Sequence, residues 1–269
     1  MAGTLAAPAR RGAAAPGTIW QLVVRLLRET RRQPVWLVVM LIQPMIWLWL
    51  FGQLFGVVVR VPGFGTASYL QFLTPGIVIM TALFSSAWAG MGVITEIDEG
   101  VMARLLTTPV ARSALIGARV LHTAITVAAQ SLIVIGAALV LGAHLPSGVP
   151  GAAALVLAAA LLAGAFGALS VGFALLLRKE ETLIAVIKRI ELPLNFLSPV
   201  LMAQALMPRW MRVGSRFNPV AWAVAAGRDA LAAHPAWGTV FMHLGWLAAL
   251  DVATLIFATW TFASYRRAL

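Results

Sequence analysis

The sequence predicts an all-α membrane protein. It has six transmembrane helices, an N-terminal amphipathic interfacial helix, a cytosolic helix between spans 2 and 3, and short outer helices between spans 5 and 6. Three observations carry the class. The chain is 61% hydrophobic and 11% charged, less than half the roughly 25% charge of a soluble domain. Residues 61–95 and 120–177 contain no Asp, Glu, Lys or Arg, and runs of about 20 apolar residues cross a bilayer as helices. The short alternating strands that an outer-membrane barrel requires are missing from the pattern.

Composition excludes several chemistries. Without cysteine there are no disulfides, thiolate nucleophiles or Cys-ligated metals. The formal net charge of +11 is dispersed at helix ends, as expected beside membrane spans, and forms no nucleic-acid-binding face. Ten tryptophans suit interfacial anchoring and helix contacts alike.

The elements follow in order. Residues 1–18 are rich in Ala, Pro and Gly and lack the apolar core of a secretory signal; they read as a disordered cytosolic tail, with residues 19–269 a single membrane domain. In residues 19–32, Gln21, Arg25, Arg28, Glu29 and Arg32 share one helical face and Leu22, Val23, Leu26 and Leu27 the other. A basic amphipathic helix of this kind lies in the membrane interface, and Pro34 separates it from the first span. The six spans are expected at residues 34–59, 69–94, 113–141, 151–177, 182–206 and 238–262, with Ser113 capping the third. Between spans 5 and 6, Asn218-Pro219 is an N-cap followed by Pro at the first helical position, and His234-Pro235 stops that helix. It is too short to cross the bilayer, and either re-enters the membrane from outside or lies on the surface.

Positive charge sets the orientation. With both termini cytoplasmic, fifteen of the twenty Lys and Arg flank the inner side, leaving Arg60, Arg209, Arg212, Arg216 and Arg228 outside.

Known catalytic signatures are missing. The only lysines, Lys179 and Lys188, precede Glu180 and Arg189, so no Gly-Lys-Ser/Thr loop exists to surround nucleotide phosphates. No H-E-x-x-H or G-x-S-x-G occurs, and His122, His144, His234 and His243 make no metal spacing. No catalytic or metal-binding residue is assigned.

Charge instead concentrates in "EIDEGVMARLLTTPVAR", residues 96–112. Glu96, Asp98 and Glu99 end the second span, and Gly100 breaks it. Val101, Met102, Leu105 and Leu106 then share a face of a short helix with Arg104 opposite. Acids at its start suit the helix dipole, and Thr107-Thr108-Pro109 ends it. By spacing alone a simple solvated loop is equally compatible.

The run Glu96-x-x-Glu99-Gly100, then Leu105-Leu106-x-Thr108-Pro109-Val110-x-Arg112, resembles the cytosolic signature of type-2 ATP-binding-cassette (ABC) transporter permeases. It is most similar to the drug-resistance and lipid or polysaccharide exporter branch, of the daunorubicin-exporter type. "FNPVAWAVAAGRDAL", residues 217–231, resembles that family's Asn-Pro…Arg element. The resemblance covers nearly the whole chain, but Ile97 and Asp98 stand where many relatives have a basic residue.

The resemblance implies a half-transporter in a bacterial plasma membrane. Two copies form the pathway, and two copies of a separate ABC ATPase subunit, which bind ATP and Mg, dock beneath. The helix near 101–108 becomes the coupling helix, with Glu96, Glu99, Val101, Arg104, Leu105 and Thr108 orienting it or meeting the ATPase. The helix at 19–32 becomes a gate helix, with Arg25 and Arg28 toward the ATPase.

Polar residues within the spans supply the remaining candidates, because ionisable groups at membrane depth face a partner or a cavity. Gln43 and Trp47 in span 1, Thr81 and Ser85 in span 2, and Glu191, Asn195 and Ser198 in span 5 either line a substrate path or glue helices together. Lys188 and Glu191 are spaced to pair. Asp251 lies near mid-span in span 6, as a packing residue or a proton relay. Gly164, Gly167 and Gly172 suggest close helix contacts. The function expected is ATP-driven export of an amphipathic drug, lipid or lipid-linked glycan, by a chain that is itself no enzyme. The alternatives are an ion-coupled secondary transporter, which needs paired intramembrane acids, and a non-transporting membrane scaffold.

Overall fold

The computed structural model describes residues 16–32, 34–55, 68–101 and 112–267, and no strand occurs among them. The first helix, α1 (Pro16–Arg32), exposes Gln21, Arg25, Arg28, Glu29 and Arg32 and buries Val23 completely. The polar stripe read from the sequence is therefore the solvent face. The chain continues as α2 (Pro34–Leu54), α3 (Tyr69–Asp98), α4 (Arg112–Val140) and α5 (Gly148–Leu177). It ends with α6 (Glu180–Phe196), α7 (Arg209–Ser215), α8 (Pro219–Leu231) and α9 (Trp237–Arg267).

Four of these, α3, α4, α5 and α9, are long and apolar enough to cross a bilayer. At 21 residues α2 extends about 32 Å, though its apolar stretch, Val38–Leu54, is shorter.

The hub is α5, which packs against α3, α4, α6, α8 and α9. Its sequence explains why: Ala and Gly dominate, and small residues let helix backbones approach closely where hydrophobicity alone gives no drive to associate. A Cβ on Gly172 would stand 2.6 Å from the Phe257 ring, and one on Gly167 would stand 3.3 Å from Thr123. Ser170 adds a polar rivet, its Oγ donating to Ala87 O (2.7 Å) and accepting from Gly90 N (3.1 Å).

Three expectations are corrected. The fifth span was read through residue 206, but α6 stops at Phe196 after 17 residues, and the chain then bends before a single 3-10 turn, Gln204–Leu206. Pro199 is the physical reason: it offers no N–H to Asn195 O and biases Ser198 away from helical geometry. The Ser198 hydroxyl takes over that carbonyl at 2.7 Å. Ser113 does not cap α4, since the helix already includes Arg112. Finally, α8 ends at Leu231, ahead of His234-Pro235; the Thr239 hydroxyl on α9 donates to Asp229 Oδ2 at 3.0 Å across the turn that follows.

Other boundaries match. Asn218 caps α8, accepting from Val220 N at 2.9 Å, with Pro219 in the first turn. Gly100, at φ +70°, follows the end of α3, a backbone region that glycine enters without steric cost.

Candidate functional site

One end of the bundle gathers charge between α1, α3 and α4. Glu96, near the end of α3, forms an ion pair with Arg119 of α4, and both side chains are about 15% exposed. Gly92, one turn earlier on α3, leaves space for the guanidinium: a Cβ there would come within 3.2 Å of Arg119 Nη1. His122, nearly a turn beyond Arg119, reaches α1, with Nε2 2.8 Å from Thr30 Oγ1. Thr30 Oγ1 also lies 3.1 Å from Leu26 O, within its own helix.

A cavity of about 520 Å³ opens beside these contacts, with Glu96, Glu99 and Arg119 at its polar end and Met40, Ser85 and Trp88 further along. That volume suits a drug-sized molecule. The last three residues also line a cleft of about 150 Å³ between α2 and α3, together with Gln43, Pro44 and Thr81. Pro44 has no N–H for Met40 O. Ser85 Oγ donates to Gln130 Oε1 at 2.8 Å, and Gln130 Nε2 contacts Met40 Sδ at 3.7 Å. Polar groups therefore continue from the charged rim into an apolar bundle.

The sequence candidates divide among several places. Gln43, Thr81 and Ser85 meet in the cleft. Trp47 is not among the cleft residues; it stacks on Phe51 at 4.6 Å, beginning an aromatic column that continues through Phe55, Tyr69 and Phe72. Glu191 is buried on α6, where it accepts from Lys188 Nζ at 2.9 Å, while the ammonium also lies 5.0 Å from the Phe84 ring centroid. Asn195 and Ser198 sit where α6 ends. Arg25 and Arg28 are exposed on α1. Glu99 follows the last residue of α3, Val101 stands beyond the Gly100 break, and Arg104, Leu105 and Thr108 lie outside the described residues.

Asp251 of α9 rests against Gly164 of α5, and its Oδ1 has no hydrogen-bond partner among the described residues. No group of three or more His, Asp or Glu suited to a metal occurs among the described residues.

Thr30, Arg119 and Gln130 were not singled out by sequence reasoning, and His122 was considered only as a metal ligand. A usable signal existed for Gln130: it is a large amide inside an uncharged apolar run, where polar residues face partners or cavities.

An all-helical bundle with four bilayer-length apolar helices defines a multi-pass membrane protein. The chain belongs to the ABC-2 type transporter family, whose model matches residues 17–232. It is 31% identical over 221 residues to "Putative transport permease ycf38" of Cyanophora paradoxa, covering 81% of this chain and 75% of that protein. The ycf38 protein of Porphyra purpurea is 30% identical over 76% of this chain and 70% of its own length. The daunorubicin resistance ABC transporter permease protein DrrB1 of Streptomyces coeruleorubidus is 24% identical over 76% of this chain and 71% of its own length.

Proposed function

We propose that this chain is the membrane half of an ATP-driven exporter. Two copies form the pathway, and a separate pair of ATPase subunits supplies the ATP and Mg sites. In this reading residues 19–269 form one domain crossing the membrane six times, with α2 and α6 joining the four longer helices and both termini inside. The cargo is amphipathic, and a relative named for daunorubicin resistance supports an aromatic drug as one member of that class, beside lipids and lipid-linked glycans.

One observation carries the reading. The helices that enter and leave residues 102–111 are α3 and α4, and their ends form the rim of the large cavity through Glu96 and Arg119. A push delivered to that connecting segment reaches the cavity walls directly, as a rigid-body input to a two-state bundle requires. Exposed apolar side chains along α2, such as Val38, Ile42 and Ile46, suit lateral admission of cargo from the inner leaflet or contact with a second copy.

The test is co-expression with candidate ATPase subunits, purification, and ATP turnover and transport in vesicles with lipids and aromatic amphiphiles. A complex with two copies of each chain and cargo-stimulated turnover is expected. Failure of any ATPase to associate, or transport by the purified chain alone, ends this reading. The Asp251 oxygen that lacks a partner among the described residues favours one competing reading, ion-coupled transport, which predicts cargo movement under a proton gradient without ATP.

A further inference from the structure

The chain between α6 and α7 is held in an unusual way. From residue 197 to 202 it has no regular helix, so its carbonyls lack intrahelical donors. Side chains of Tyr69, Asn218 and Arg228 supply donors to this stretch and to the last turn of α6. Asn218 Nδ2 donates to Leu194 O, in that last turn, at 2.6 Å; in the stretch beyond, Arg228 Nη2 donates to Val200 O at 3.0 Å and Tyr69 Oη donates to Leu201 O at 3.2 Å. Beneath them a Cβ on Gly76 would come within 2.5 Å of Val200 O, so α3 admits the segment only because that position is glycine.

The holding groups are themselves fixed. The Arg228 guanidinium, a permanent cation, sits 3.6 Å from the centroid of the Phe72 ring. Asn218 caps α8 with its oxygen while its nitrogen reaches Leu194. Along α8, Val220, Ala223, Val224 and Ala226 are fully buried against the bundle. The held segment is different: Phe196, Met202 and Leu206 project outward at 70%, 39% and 41% exposure. Every clip ends on a backbone carbonyl, so the clips set position and leave the outward side chains free to face cargo, lipid or a second copy. Single hydrogen bonds of this kind open without unfolding the helix that provides them.

We propose that Asn218 and Arg228 form a two-point latch, Asn218 holding the last turn of α6 and Arg228 the chain after it, that keeps residues 194–207 seated on α8, and that this segment lifts as a unit to open the far end of the pathway. Placing it at the outer end rests on the six-crossing topology above; the latch itself does not. Both are positioning residues, acting through the segment they hold.

The chain contains no cysteine, so one introduced thiol reports cleanly. Ala203→Cys places it on the segment at a position only 7% exposed. Labelling by a membrane-impermeant maleimide applied from outside is compared in three backgrounds: otherwise unchanged, Asn218→Asp and Arg228→Gln. The aspartate keeps the acceptor that caps α8 and removes only the donor to Leu194 O. Each background variant is expected to label about tenfold faster, the scale for losing one clip from a local opening equilibrium. A control thiol at Ala159→Cys, deep in α5 and fully buried, is expected to stay unlabelled.

Unchanged labelling at residue 203 overturns the latch, as does an equal rise at 159, which marks general loosening. Labelling only from the inner side overturns the outer placement. Hydrogen exchange on the unaltered chain gives a second measurement if the variants do not fold. Residues 194–207 are expected to exchange together and well before 219–231, and simultaneous exchange overturns the proposal. None of these readouts needs an ATPase or a cargo, so failure of the exporter reading is seen separately.

Discussion

Asp251 and Gly164 occupy each other's space: a Cβ on the glycine would stand 2.7 Å from Asp251 Oδ1. Gly164→Ala is therefore expected to destabilise the bundle by about 1–3 kcal/mol, the usual scale for overpacking. Asp251→Ala introduced alongside it should recover most of that loss, because the obstructing carboxylate is gone. Thermal unfolding of the two single variants and the double variant measures the coupling; additive losses would refute the contact.

The Glu96–Arg119 ion pair lies between surface and core, at 15% and 16% exposure. Exposed pairs contribute up to about 1 kcal/mol, and breaking a buried one costs about 3–5 kcal/mol. Arg119→Ala is expected to fall between these, at roughly 1–3 kcal/mol, by leaving the Glu96 carboxylate unpaired. The exchange Glu96→Arg with Arg119→Glu should restore part of the stability in a denaturation series. If the exchanged pair is no better than Arg119→Ala alone, attraction is not what joins α3 to α4 here.

Thr30 ties α1 to α4 through His122 at 2.8 Å. Thr30→Val keeps the shape and removes the hydroxyl. Hydrogen exchange in residues 16–32 should quicken by roughly fivefold, the effect of about 1 kcal/mol on local opening. The unfolding temperature of the whole chain should hardly move. A fall in global stability with unchanged exchange in α1 would contradict this.

Ser170 bridges α5 to α3 with one bond given and one received. Ser170→Ala is expected to cost about 1–2 kcal/mol. Gly90→Ala should be worse, since its Cβ would fall 2.5 Å from Ser170 O, a backbone atom that cannot turn aside. Comparing the two midpoints in denaturant gives the order directly.

Local chemistry was legible in the sequence where a residue acts on its own neighbourhood. Asn218-Pro219 marked the start of α8, Gly100 the end of α3, and the Gln21-to-Arg32 stripe the wet face of α1. Lys188 and Glu191 paired because one helical turn brings them together. The end of α6 was missed because apolar runs report burial and say nothing of whether the next proline can donate a hydrogen bond. At the candidate site, Gln43, Thr81 and Ser85 were named one helix at a time, and their shared cleft depends on how α2 meets α3. Arg119 finding Glu96, and His122 finding Thr30, depend likewise on helix pairing, which no periodicity within one element encodes.

The column of rings from Trp47 through Phe51, Phe55 and Tyr69 to Phe72 has centroid spacings of 4.6, 5.2, 5.6 and 6.1 Å. It behaves as a strut between α2 and the start of α3. Sliding α2 by a single residue, about 1.5 Å, would carry its rings along the axis while Tyr69 and Phe72 stayed behind. The Phe55–Tyr69 junction would then lose its favourable ring geometry. A tilt of the first apolar helix about this strut would keep the junction, whereas a slide along it would not.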